Sequence, residues 1–130
     1  VQFIDSWHFP RSGGRVHKGQ DLFAVEGQPL LAVDDGTVVE MRTGSGLGGD
    51  VIWLRTDTGH HWYYAHLSAF APDLAQGDRV VRGEVIGAVG RTGNARTTPP
   101  HLHVQWRPDG RRGADVNPYP LLDAACPDHG

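Results

Sequence analysis

Lysine is almost missing from this chain. Lys18 is the only one among 12 Lys+Arg residues, and arginine supplies the rest of the positive charge. The formal net charge is −3 and the sequence pI near 6.2, which argues against the broad basic footprint of a nucleic-acid binder. The single cysteine, Cys126, excludes an internal disulfide and has no cysteine partner for a zinc knuckle. It reads as structurally incidental. No apolar run approaches the ~20 residues that a bilayer-spanning helix needs, so no membrane span is expected. Long helix-periodic segments are also scarce. What the 130 residues do hold is 18 glycines and 9 prolines, the punctuation of a β-rich, turn-rich domain. This length builds its own core without staples or oligomerisation. No linker or change of composition divides the chain, so one domain over residues 1–130, taken as a monomer, is expected. The chain begins at Val1 without a legible signal peptide, which reads as a piece trimmed from a longer chain.

Short apolar runs alternate with turn signals. Strands are predicted over residues 22–25, 30–33, 37–42, 51–56, 60–67, 79–81, 84–89 and 101–107. Residues 1–16 form a lead-in loop with aromatic anchors Trp7 and Phe9. Residues 70–76 form a loop with room for one helical turn, 90–100 a long polar loop, and 117–122 a short helix. Segments 27–38 and 77–89 look faintly alike, a weak hint of duplication. A carrier domain would present a lysine at the turn Arg82-Gly83-Glu84, which has none. Gly44-Ser45-Gly46-Leu47-Gly48-Gly49 fits Gly-x-Gly-x-x-Gly, but a strand follows where a dinucleotide site needs a helix, so it is read as a hairpin loop. Ser68 lies near His66 without any sign of a nucleophile elbow.

The chemistry concentrates around His101-Leu102-His103. On a strand, side chains two apart share a face. His101, His103 and Gln105 therefore share one face, and Leu102, Val104 and Trp106 turn to the core. His17 and Asp21 stand four apart. Gly19 disfavours a helix between them, and a straight strand would separate them by about 13 Å. They meet only if the segment curls at Gly19. By alternation, His66 shares a face with Trp62 and Tyr64, which suit a groove wall and a core equally. His60 and His61, at a hairpin edge, are expected to be exposed.

Three blocks in order then resemble the lysostaphin-like, or LytM-type, cell-wall zinc metallopeptidases. His17-Lys18-Gly19-Gln20-Asp21 looks like that family's His-x-Gly-x-Asp. Tyr64-Ala65-His66-Leu67-Ser68 looks like its Tyr-Ala-His-Leu block, and Pro100-His101-Leu102-His103 like its Pro-His-Leu-His block. Asp35-Gly36-Thr37-Val38, the stretch from Gly77 to Gly87, and Asn117-Pro118 fit its scaffold turns, so the resemblance runs from about Asp5 to Leu122. It implies a mostly β, sandwich-like domain of antiparallel sheets with long loops around a groove. It implies one zinc ion on His17, Asp21 and His103, and catalytic roles for His66 and His101, with no order between those two. It further implies hydrolysis of peptidoglycan stem or cross-bridge peptides outside the cytoplasm. A non-catalytic module of the same fold, binding cell wall or regulating another hydrolase, is the alternative. Two departures stand out. His8 follows Trp7 where relatives often have glycine, and Pro99 replaces the glycine usual before the last block, which stiffens the loop beside His101.

Overall fold

In the computed structural model of the chain, residues 17–125 are described, with side chains through Leu122. The lead-in loop, His8 and Cys126 lie outside the described residues. Among the described residues nine strands fall into two antiparallel sheets: β1 Gln20–Phe23, β2 Pro29–Leu31, β3 Gly36–Ser45, β4 Gly49–Thr56, β5 His61–Ala65, β6 Leu67–Phe70, β7 Arg79–Val80, β8 Val85–Val89 and β9 His101–Arg107. The larger sheet runs β1-β9-β5-β4-β3-β7 and the smaller β2-β8-β6. The expected mostly β, sandwich-like architecture is what the chain adopts.

The period-two pattern explains the packing. One face of the large sheet carries Leu22, Val38, Ile52, Leu54, Trp62, Tyr64, Leu102 and Val104, all buried, and meets Leu30, Leu67, Ile86 and Val89 from the small sheet. Trp62 and Tyr64 are thus core. The two look-alike segments pair reciprocally: β2 with β8 in the small sheet, β3 with β7 in the large one.

Several boundaries differ from the expected ones. The run predicted over 60–67 is two strands in different sheets, divided at His66. The second of them, β6, extends to Phe70, into the predicted loop. The 70–76 segment makes turns and no helix, whereas the 90–100 loop contains a short 3-10 turn at Gly93–Ala95. The terminal helix starts at Tyr119 rather than at 117. There the Asn117 side-chain carbonyl accepts from the Tyr119 amide (3.0 Å) and from Gln20 Nε2 (3.1 Å), so Asn117 caps the helix and ties it to β1.

Candidate active site

The other face of the large sheet is open, and β9 is its axis. Register pairs Asp21 on β1 with His103, and Ala65 on β5 with His103 from the other side. His17 lies just before β1, beyond a bend at Gly19. The bend is the expected curl, but Gly19 has a second reason. A Cβ there would stand 2.1 Å from the Val104 carbonyl oxygen. Only glycine lets β9 pass that close.

The bend brings His17 Nε2 to 3.1 Å from Asp21 Oδ1 and 3.0 Å from His103 Nδ1, while His103 Nδ1 is 3.0 Å from Asp21 Oδ1. Two imidazole nitrogens and a carboxylate oxygen thus converge on one point, the donor set that could hold a metal ion. Ligands about 2.0–2.1 Å from a shared tetrahedral ion stand about 3.3 Å from each other, close to the spacing here. Burial would push the Asp21 carboxyl up. The hydrogen bonds and charge of His103 and His17 overcome that and hold it far below the usual carboxylate range.

The far nitrogen of His103 is also accounted for. Nε2 donates to Gln105 Oε1 (2.8 Å), Gln105 Nε2 donates to Asp115 Oδ1 (3.0 Å), and Arg107 Nε donates to the same oxygen (2.8 Å). A proton fixed on Nε2 leaves Nδ1 as the lone-pair nitrogen facing Asp21 and His17. Alternation along β9 places Gln105 on this face. Asp115, in the turn region after β9, carried no signal in the sequence.

His66 and His101 stand beside this group, their rings 4.9 Å apart between centroids. His101 Nδ1 donates to the Pro99 carbonyl (3.0 Å) and His66 Nδ1 to the Thr92 carbonyl (2.8 Å). In both rings Nε2 is then the lone-pair nitrogen. Burial pushes His66 down to about 4, outweighing the Thr92 hydrogen bond, so it is neutral at pH 7. His101 Nε2 is 3.9 Å from Asp21 Oδ1, and Phe23 packs on the His101 ring at 5.4 Å.

His66 is where alternation failed. It does not share a face with Trp62 and Tyr64. Its φ is +66°, in the left-handed region that a histidine adopts only under constraint. The constraint is tertiary: the His66 amide donates to the Gly48 carbonyl at 2.8 Å. The left-handed residue ends β5, sends the chain to the other sheet and leaves the imidazole on the open face. Tyr63 is the β5 aromatic on that face, edge-on to His103 at 6.2 Å.

The glycine-rich segment is the hairpin loop between β3 and β4, and it forms one wall. A Cβ on Gly48 would stand 2.2 Å from the Tyr63 hydroxyl. Thr92 binds the wall together: its hydroxyl donates to the Leu67 carbonyl (2.8 Å) and accepts from the Asp50 amide (3.0 Å). The cavity has a volume of about 850 Å³ and is lined by all five histidine and aspartate side chains together with Phe23, Leu47, Tyr63 and Gln105. His60 and His61 lie elsewhere and are only partly exposed, contrary to expectation. His60 Nδ1 accepts from Trp106 Nε1 at 2.9 Å, and His61 Nδ1 is buried.

Residues 15–118 match the family model described as peptidase family M23. The chain is 39% identical over 118 residues to the L-Ala–D-Glu endopeptidase of Bacillus subtilis (strain 168), covering 86% of this chain and 36% of that one. It is 37% identical over 114 residues to the glycyl-glycine endopeptidase ALE-1 of Staphylococcus capitis, covering 86% and 30%. The chain thus spans about a third of the length of these curated relatives. The catalytic domain of the antimicrobial peptidase lysostaphin from Staphylococcus simulans superposes with a TM-score of 0.80 at 33% identity, over 92% of this chain and 90% of that domain.

Proposed function

The chain belongs to peptidase family M23, and from that premise we propose that it is a zinc-dependent endopeptidase acting on the peptides of bacterial peptidoglycan. The ion would sit on His17 Nε2, Asp21 Oδ1 and His103 Nδ1, and His66 and His101 would be the catalytic pair. The observation that carries this reading is the convergence of five side chains, from three blocks far apart in sequence, in one cavity. The names of the relatives, peptidases of L-Ala–D-Glu and glycyl-glycine bonds, support the substrate class. Residues 1–130 would be one catalytic domain, with its core about 5–122, working outside the cytoplasm. Among the described residues no helix is long and apolar enough to cross a membrane.

The donor chemistry fits zinc: two neutral imidazoles and one ionised carboxylate make the three-ligand set that leaves a position open for water or substrate. When bound, the ion supplies Lewis acidity, which makes water nucleophilic near neutral pH and polarises a carbonyl. The chain's own residues do the rest. One of the two Nε2 lone pairs, on His66 or His101, takes the proton released as water attacks and returns it to the departing amine. The other ring, when protonated at Nε2, donates from that nitrogen to the oxygen on which charge develops, because its Nδ1–H is already given to a backbone carbonyl. Both rings are fixed through Nδ1 to backbone carbonyls, so neither must reorient. The symmetry of those two contacts leaves the order of roles between them open.

The reading predicts soluble peptide fragments when the zinc-loaded protein is incubated with purified peptidoglycan, and mass spectrometry of them names the bond cut. Retention on the insoluble wall with no fragments released would favour the non-catalytic module instead.

The Gln105 contact yields a separate expectation. Gln105→Leu removes the acceptor for His103 Nε2–H and leaves the three donor atoms in place. Loss of such an outer contact weakens metal affinity about 10- to 100-fold. Titration against a competing chelator should show that drop with the melting temperature of the metal-free protein little changed. Unaltered affinity would contradict the role given to Gln105.

A further inference from the structure

The open sheet face does not end at the cavity. Beyond Gln105 and Tyr63, the register sets Arg107, His61 and Arg55 side by side on β9, β5 and β4, and pairs Trp53 with Tyr63 and Glu40. Arg107 and Arg111 flank the Trp53 indole, with guanidinium carbons 5.1 and 4.7 Å from the ring centroid. Arg111 and Arg42 both contact Glu40, and Arg107 contacts Asp115. At the edge Asp57 is taken up by Arg79 through two hydrogen bonds. Arg55 is exposed and makes no direct ion pair among the described residues, although its charge helps Arg79 hold the Asp57 carboxyl below the usual range. With the edge pair included, five guanidiniums therefore stand against three carboxylates on this stretch, in a chain whose overall charge is −3. His61 registers the field: burial first, then Arg55, Arg111 and Arg107, hold its imidazole below the usual histidine range.

We propose that this Arg55–Trp53–Arg107–Arg111 stretch is a carboxylate-binding subsite of the substrate groove, so that the enzyme takes carboxylate-bearing stem peptides in preference to neutral glycine bridges. This rests on the peptidase reading above. Arg107 lies four residues along β9 from His103, about 13 Å on a strand. Long arginine side chains shorten that reach, so the recognised carboxylate belongs to a residue two to four positions from the cleaved bond. Trp53 and its two guanidiniums form a flat platform for the peptide backbone. Guanidinium donors then recognise the carboxylate in the charge-assisted geometry that favours arginine over lysine.

The test compares two fluorescent stem peptides, L-Ala-D-Glu-L-Lys-D-Ala with free carboxyls and its fully amidated twin, by anisotropy with the zinc-loaded protein. Hydrolysis is followed in parallel. The acid peptide is expected to bind roughly tenfold tighter, at the lower end for a hydrogen bond to a charged group. The preference should shrink as salt rises. Arg55→Gln should cut it to within about threefold, an expected loss by the same principle. Arg82→Gln, the same charge change in an exposed turn outside the cavity lining, should keep it. Equal affinity for the two peptides in the wild type, or an undiminished preference in Arg55→Gln, would overturn the subsite. If the preference appears but neither peptide nor peptidoglycan is cut, the subsite stands and the hydrolytic reading falls. If both peptides are cut but bind alike, the subsite alone falls.

Discussion

Replacing His66 by glutamine is expected to lower hydrolysis by about 10²- to 10⁴-fold, the usual worth of a positioned general acid or base, with zinc content unchanged. His66 contacts none of the three converging donor atoms within hydrogen-bond distance. Its Nδ1–H is engaged by the Thr92 carbonyl, which leaves Nε2 with the lone pair. Elemental analysis and turnover on the same preparation check both halves. The pH dependence carries a sign. In the folded chain, burial pushes His66 down to about 4 from the 6.5 of a free histidine side chain. Between those values the folded ring stays neutral while the unfolded one gains a proton. Its contribution to stability is therefore complete above pH 6.5 and is lost as pH falls toward 4. Activity should nevertheless fade sooner, below about pH 6, because imidazole ligands must be deprotonated to hold a metal. The midpoint of that acid limb should move to lower pH when free zinc is raised. A midpoint indifferent to zinc would place the loss on a proton-transfer group instead.

His103→Ala is expected to abolish both zinc and activity. The substitution removes one of three donors and leaves His17 Nε2 and Asp21 Oδ1, one short of a tetrahedral set even with a water added. It also removes the partner whose hydrogen bond does most to hold Asp21 ionised against burial. Zinc retained after gel filtration should drop to about a tenth of stoichiometric or less, since a two-ligand site competes poorly with buffer. The contrast with His66→Gln is the informative part: one variant is empty and dead, the other loaded and dead. Equal, full zinc occupancy in both would sink the division of labour between them.

Much of this was legible in the sequence because β9 obeys a simple alternation. Leu102 and Val104 are buried on one face, and His103 and Gln105 turn to the other. The turn chemistry likewise located most strands to within a few residues. What escaped depended on contacts between distant segments. The left-handed conformation of His66 is enforced by Gly48, from the β3–β4 loop, and no period-two pattern anticipates it. That single residue breaks the face shared by Trp62, Tyr64 and His66, and the question alternation left open is settled by burial: Trp62 and Tyr64 are core and Tyr63 lines the groove. Thr92 orients His66 through a backbone carbonyl, which any residue type would supply, so its identity held no clue. Asp115 acts on His103 only through Gln105 and sits in a turn without periodicity. The close pass of Val104 over Gly19 exists only once β1 and β9 are in register.

The central claim is that His17, Asp21 and His103 hold the ion while His66 and His101 work beside it. Crystals of the zinc-loaded protein, measured with anomalous scattering on both sides of the zinc edge, test it most directly. The account predicts one strong peak within bonding distance of His17 Nε2, Asp21 Oδ1 and His103 Nδ1, with His66 and His101 outside it. A peak coordinated by His66 or His101, or no peak between the three donors, would contradict it.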